Sequence, residues 1–156
     1  MAAQYKAKGT KVVVLDPLFD PRWNADFITE DADEFLYIVS HPDSEKCAIF
    51  VDESGETIGR YNEEMTWLAT RARHYGHNSH FIVQRTTMLN KTICTQCRYL
   101  FLFNCTFTDA KMLSDDFAGF DPRDAVNLKQ LEYFDCDSWG TAEKKIVTFS
   151  KQKSSG

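Results

Sequence analysis

Two five-residue stretches, Lys11–Leu15 (Lys-Val-Val-Val-Leu) and Cys47–Val51 (Cys-Ala-Ile-Phe-Val), constrain this chain more than any other feature. Neither alternates apolar with polar residues, so neither suits a half-solvated sheet. An unbroken apolar run closed by turn residues is the pattern of a strand buried on both faces. Both runs end on an acid: Asp16 with Pro17 behind it, and Asp52 followed by Glu53. The segments around them have helical spacing and turn residues. Residues 2–8 read as the end of a helix with Gly9 as its cap. Asp31-Ala-Asp-Glu34 offers an N-cap carboxylate with a second acid three residues on, for a helix to about Ser40. Residues 61–73 place Tyr61, Met65, Leu68 and Ala72 at helical spacing. Residues 80–83 and 99–103 supply a third and a fourth strand, the third ending in Gln84-Arg85. Short helices are expected at 87–97, 108–117 and 124–133, and a last strand at 145–149. Turn-rich connections fall at 19–24, 54–58 and 74–79. Apolar strands alternating with helices imply an α/β fold, a mainly parallel sheet with helices on both faces. The 156 residues suit one domain over 1–150, with a flexible tail at 151–156.

Composition narrows the function. There is no run of eighteen apolar residues, so no transmembrane helix is expected, and the N-terminus lacks the apolar centre of a signal peptide. A soluble cytoplasmic protein follows. The five cysteines are an odd number, and Cys47 and Cys105 sit in apolar runs, which suits buried free thiols in a reducing compartment. A net charge of −5 argues against non-specific nucleic-acid binding by the whole surface. Arg71, Arg73, Lys91 and Arg98 could still form a local basic track. The acidic stretch 26–34 reads as a solvated helix start.

An apolar strand ending in Asp-Glu has a specific use in nucleotide hydrolysis. It presents a carboxylate at the C-terminal edge of an open α/β sheet, where ligands bind. An aspartate there can orient a magnesium ion on the β- and γ-phosphates, and the next glutamate can polarise the attacking water. Such a strand can equally end in acids for solubility alone. The downstream order favours the first reading. A helix containing Trp67 comes next, then Arg71-Ala-Arg73-His74-Tyr-Gly76, then His80-Phe-Ile-Val-Gln84 and Tyr99-Leu-Phe-Leu-Phe-Asn104. This succession resembles the HerA–FtsK superfamily of DNA-pumping P-loop ATPases, particularly viral genome-packaging ATPases, over roughly residues 2–117. The resemblance implies a RecA-like P-loop NTPase core and the function of a DNA-packaging or DNA-translocating motor. It makes Asp52 the magnesium partner, Glu53 the water-activating carboxylate and Gln84 the sensor of the γ-phosphate. It makes Arg73 an arginine finger reaching a neighbouring subunit, with Arg71 and Arg85 as substitutes. Asp16, at the same sheet edge, is either a nucleotide-site residue or a cap. ATP and Mg2+ are the implied cofactors. Double-stranded DNA and a homo-oligomeric ring, or another motor subunit, are the implied partners.

The pattern departs from that family at one place. No Gly-rich segment ending in Lys-Ser or Lys-Thr occurs; Lys8-Gly9-Thr10-Lys11 has one glycine and cannot cradle phosphates. On the resemblance, the 156 residues begin inside the helix that follows the missing loop and lack its strand, or the loop has been lost. The edges left open could be closed by residues 99–103 pairing with 80–83, or by 145–149 filling the gap, though the default position of 145–149 is an added edge strand. The alternative function is therefore a non-catalytic, P-loop-less relative acting as an interaction or nucleic-acid-docking module. His74, His77 and His80, with Cys94-Thr-Gln-Cys97, hint at zinc, but a single C-x-x-C pair is a weak signal. Trp67 and Phe101 read as core, Trp23 and Trp139 as stacking residues or satellite packing.

Overall fold

Both unbroken apolar runs become neighbouring strands in the middle of a parallel sheet. The computed structural model describes residues 1–41, 45–52 and 62–148. Glu53, the expected loop at 54–58, Tyr61 and the tail at 151–156 lie outside them. The chain divides into two compact units, Met1–Gln96 and Cys97–Gly156.

The first unit carries α1 (Ala2–Ala7), β1 (Lys11–Leu15), β2 (Phe27–Thr29), α2 (Ala32–Ser40), β3 (Cys47–Val51), α3 (Asn62–Thr70), β4 (Asn78–Phe81) and α4 (Lys91–Gln96). The sheet order is β2-β1-β3-β4, all pairs parallel, with Leu15 opposite Val51 and Val51 opposite Phe81. Val12, Val14, Leu15, Ala48, Ile49 and Val51 are all fully buried, as runs without alternation require. Strand period 2 divides them between two faces. Val12, Val14, Ala48 and Phe50 pack under Ala2 and Tyr5 of α1, with Trp23, Ala25 and Ile28. On α2 the buried residues are Ala32, Phe35 and Val39. The Asp31 carboxylate caps that helix, accepting the N–H groups of Asp33 and Glu34 at 2.9 Å each. Ser79 of β4 donates its hydroxyl to the Leu68 carbonyl at 2.8 Å, tying α3 to the sheet.

The second unit contains β5 (Tyr99–Leu102), α5 (Phe107–Asp116), α6 (Pro122–Ala125), β6 (Glu132–Asp137) and β7 (Ala142–Ile146). Here three expectations are corrected. Residues 99–102 do not extend the parallel sheet; β5 pairs antiparallel with β6, and β6 with β7. The helix expected at 124–133 stops at Ala125. Leu131 at φ 68° then turns the chain into β6, whose Phe134 and Cys136 face inward. The last strand begins at Ala142, and it pairs with β6 rather than beside β4. Leu102, Phe134 and Cys136 form the core of this unit with Ala110, Leu113, Phe117, Ala125 and Leu128. Thr106 caps α5, its hydroxyl accepting the Asp109 N–H at 3.2 Å and donating to the Asp109 carboxylate at 2.6 Å. Gly119 (φ 106°) is required where it stands, since a Cβ would lie 2.5 Å from the Gly140 carbonyl oxygen.

Candidate functional site

The register brings the acid-tipped ends of β1 and β3 together. Beyond the last paired residues the ladder continues by one step: Asp16 N–H donates to Thr29 O (2.9 Å), Asp52 N–H to Leu15 O (2.9 Å) and Ile82 N–H to Val51 O (3.0 Å). Asp16, Asp52 and Ile82 thus stand side by side at the C-terminal edge, about 4.8 Å apart from strand to strand. Gln84 and Arg85 follow two and three residues beyond Ile82, both exposed. This edge is where open α/β sheets take ligands.

Asp16 and Asp52 differ in what surrounds them. Asp16 is 1% exposed, and its carboxylate accepts the N–H groups of Leu18 (2.8 Å) and Asp20 (2.7 Å) and the indole N–H of Trp23 (3.2 Å). Both oxygens are engaged in folding the loop after β1, so Asp16 organises that loop. Trp23 is thereby half-buried, with its ring 5.4 Å from that of Phe50. The sequence placed Asp16 at this edge but gave no sign of its three donors. The paired Asp16-Pro17 and Asp20-Pro21 steps were the available hint of a tight loop. Asp52 is partly exposed at the tip of β3.

Arg73 is not brought to that edge within one chain. It lies in a 3-10 turn, Ala72–Tyr75, that leads into the first residue of β4. Four residues on, His77 Nδ1 accepts the backbone N–H of Cys47, the first residue of β3, at 3.2 Å, with the Cys47 Sγ also at 3.2 Å. Arg71 and Arg73 therefore belong to the N-terminal edge, at the far end of the strands from Asp52. Of the three candidate arginines, Arg85 alone follows a strand's C-terminal end.

The histidines occupy separate surroundings. His74 is exposed, His77 is tied to Cys47, and His80 stacks on Phe50 with ring centroids 4.5 Å apart. His80 Nε2 lies 3.1 Å from the Tyr5 hydroxyl. Burial pushes His80 down to about 4, pushes His77 below its ordinary value, and pushes the Cys47 thiol up to about 11. Among the described residues no group of three or more His, Cys, Asp or Glu gathers to hold a metal. None of their helices is long and apolar enough to cross a membrane. Trp139 is 64% exposed, with the Arg98 guanidinium 4.3 Å from its ring centroid.

Comparison with solved structures gives the fold its class. The chain is similar to the genome packaging NTPase B204 from Sulfolobus turreted icosahedral virus 2. In the sulfate complex the TM-score is 0.77 at 14% identity, covering 95% of this chain and 87% of that one. In the AMPPCP complex it is 0.73 at 13% identity, covering 94% and 87%. The DNA-packaging ATPase B204 from Sulfolobus turreted icosahedral virus gives 0.70 at 12% identity, covering 94% and 88%. At such identities the likeness is one of fold: a P-loop NTPase-like α/β fold with a four-stranded parallel sheet flanked by helices. No family model and no curated protein matches the sequence.

Proposed function

We propose that this chain is the ATPase core of a DNA-packaging or DNA-translocating motor, working as an oligomer on double-stranded DNA in the cytoplasm, or the host-cell cytoplasm. The observation that carries the reading is Asp52 at the C-terminal tip of a central parallel strand, in a fold shared with viral packaging NTPases. One of those structures is a complex with AMPPCP and another with ATP-gammaS. Asp52, at the strand tip, would hold the magnesium ion, while the Asp16 carboxylate serves three N–H donors of the loop after β1. When bound, magnesium supplies charge neutralisation to the phosphates. Asp52 would orient that ion, Glu53 is placed next to it in sequence to polarise water, and the Gln84 amide can donate to phosphate and accept from water. Arg73 serves as a finger toward a neighbouring copy, with Arg71 as a substitute on the same edge or Arg85 on the edge that carries Asp52.

The test compares nucleotide binding and ATP turnover of the wild type, Asp52→Asn and Glu53→Gln. Glu53→Gln should keep binding while turnover falls by about 10²-fold or more. Turnover indifferent to that change would sink the role of Glu53. The second reading, a P-loop-less docking module, is favoured by the absence of a Gly-rich Lys-Ser or Lys-Thr segment from the 156 residues. It requires no turnover, with binding to DNA or to a motor subunit unchanged by Asp52→Asn.

A further inference from the structure

One face of the antiparallel sheet is divided between two kinds of surface. The register places Tyr99 and Phe101 of β5 on it, with Tyr133, Asp135 and Asp137 of β6 and Glu143 and Lys145 of β7. Phe103 continues the row just beyond β5. A sheet face that meets water ordinarily carries polar side chains. β7 obeys that rule, whereas Tyr99, Phe101 and Phe103 are exposed aromatics. The Tyr133 ring lies 5.3 Å from that of Phe103 and 6.1 Å from that of Phe101. Rings braced on one another in this way lose little freedom on docking.

The first two rings each have an acid as cross-strand neighbour. Tyr99 lies opposite Asp137, and Phe101 opposite Asp135, with Cβ atoms of such pairs about 5 Å apart. Among the described residues each carboxylate is engaged through one oxygen. Lys145 Nζ reaches Asp135 Oδ2 at 2.5 Å, and Asp137 Oδ1 accepts the Trp139 and Thr141 N–H groups at 3.0 Å each. A ring beside a carboxylate attracts a guanidinium or ammonium in two ways, over its π face and by charge. The same unit already contains a cation on a ring, with Arg98 4.3 Å from the Trp139 centroid.

The two ring-and-acid pairs stand two residues apart along β5, about 6.7 Å. That is the spacing of alternate side chains in an extended peptide. The third position, Phe103 with Tyr133, has no acid opposite and suits an apolar group. Charge disfavours a polyanion here. On this face Asp135, Asp137 and Glu143 stand against Lys145, which is itself held by Asp135 and Glu143 at 2.5 and 3.3 Å, so phosphates would meet net repulsion. We propose that this face docks an extended segment of a partner protein, with Arg or Lys at two alternate positions and an apolar residue two further on. The contact involves neither Asp52 nor nucleotide, so it stands or falls apart from the proposed function.

Fluorescence anisotropy of the full chain with a labelled peptide, Gly-Ser-Arg-Thr-Arg-Thr-Leu-Thr-Gly, reads the contact. A dissociation constant of about 10–100 µM is expected at about 150 mM salt. Phe101→Ala should weaken binding about tenfold with little change in melting temperature, because the ring is exposed. Asp135→Asn should weaken it about fivefold, and Lys145→Ala, which removes the competing cation, should tighten it about threefold. A peptide with adjacent arginines, Gly-Ser-Arg-Arg-Thr-Thr-Leu-Thr-Gly, should bind about fivefold more weakly, since neighbouring side chains of an extended chain point to opposite sides. Asp52→Asn should leave every value unchanged. No binding at about 1 mM chain, equal affinity for the two peptides, or a Lys145→Ala variant that binds no tighter would each overturn the proposal. So would oligodeoxythymidine binding or self-association that Phe101→Ala abolishes, which would give the face to a nucleic acid or a second copy. Peptide affinity that rises when Lys151 and Lys153 are both changed to Glu would give it to this chain's own C-terminal end, and would overturn the proposal equally.

Discussion

The parallel sheet and the antiparallel sheet bury themselves differently. Every residue of β3 is buried, and the sheet around it has apolar residues on both faces. The antiparallel sheet covers only the face carrying Leu102, Phe134 and Cys136. Its other face leaves Tyr99 57%, Phe101 41% and Phe103 47% exposed, with Tyr133 stacked on Phe103 at 5.3 Å. Apolar composition alone therefore does not tell where the stability lies: Phe50 and Phe101 are the same residue in strands of similar composition, one in a core and one in water.

The sharpest way to break this contrast is a matched pair of deletions. Ile49→Ala in β3 should cost about 3–4 kcal/mol, since the site has no solvent side onto which to relax. Phe101→Ala should cost under about 1 kcal/mol, and equal losses in urea melts would end the distinction. Asp16→Ala should cost about 3 kcal/mol by leaving three donors without their acceptor, read as a lower urea midpoint.

The next effect depends on pH. His80 is held neutral in the fold, with its value lowered from 6.5 to about 4. The unfolded chain therefore takes up the proton first as pH falls. Stability is full above about pH 6.5 and declines toward about pH 4, by about 3 kcal/mol in all. His80→Phe should keep the stack on Phe50 and flatten that slope in melts taken across the window. A slope that persists in the variant would assign it to other groups. The smallest sizeable effect belongs to the second unit: Thr106→Ala should remove about 1 kcal/mol by uncapping α5, measurable by thermal denaturation.

What could be read from sequence follows the same division. β1 and β3 were found to the residue because double-sided burial leaves no ambiguity of period. Asp31 was legible as a cap because its donors are two and three residues away. The β2 strand was not, because Phe27–Thr29 is three residues long and sits between acids. β5 was recognised as a strand but given the wrong sheet: aromatics on its open face hide the alternation that marks a one-sided strand. Glu132–Asp137 does alternate, but its first two residues fell inside the helix expected at 124–133 and the other four were given no element. At the candidate site, Asp52 and its strand end were visible in the chain. The engagement of Asp16 and the position of Arg73 at the opposite edge depend on contacts between residues far apart in sequence.

The link between Cys47 and His77 has a practical consequence. A thiol 4% exposed, with its pKa raised to about 11, is both hidden and scarcely ionised at neutral pH. Alkylating reagents reach it only when the start of β3 parts from the turn that carries His77. The modification rate of Cys47 is thus a natural clock, counting how often the central strand of the sheet comes open.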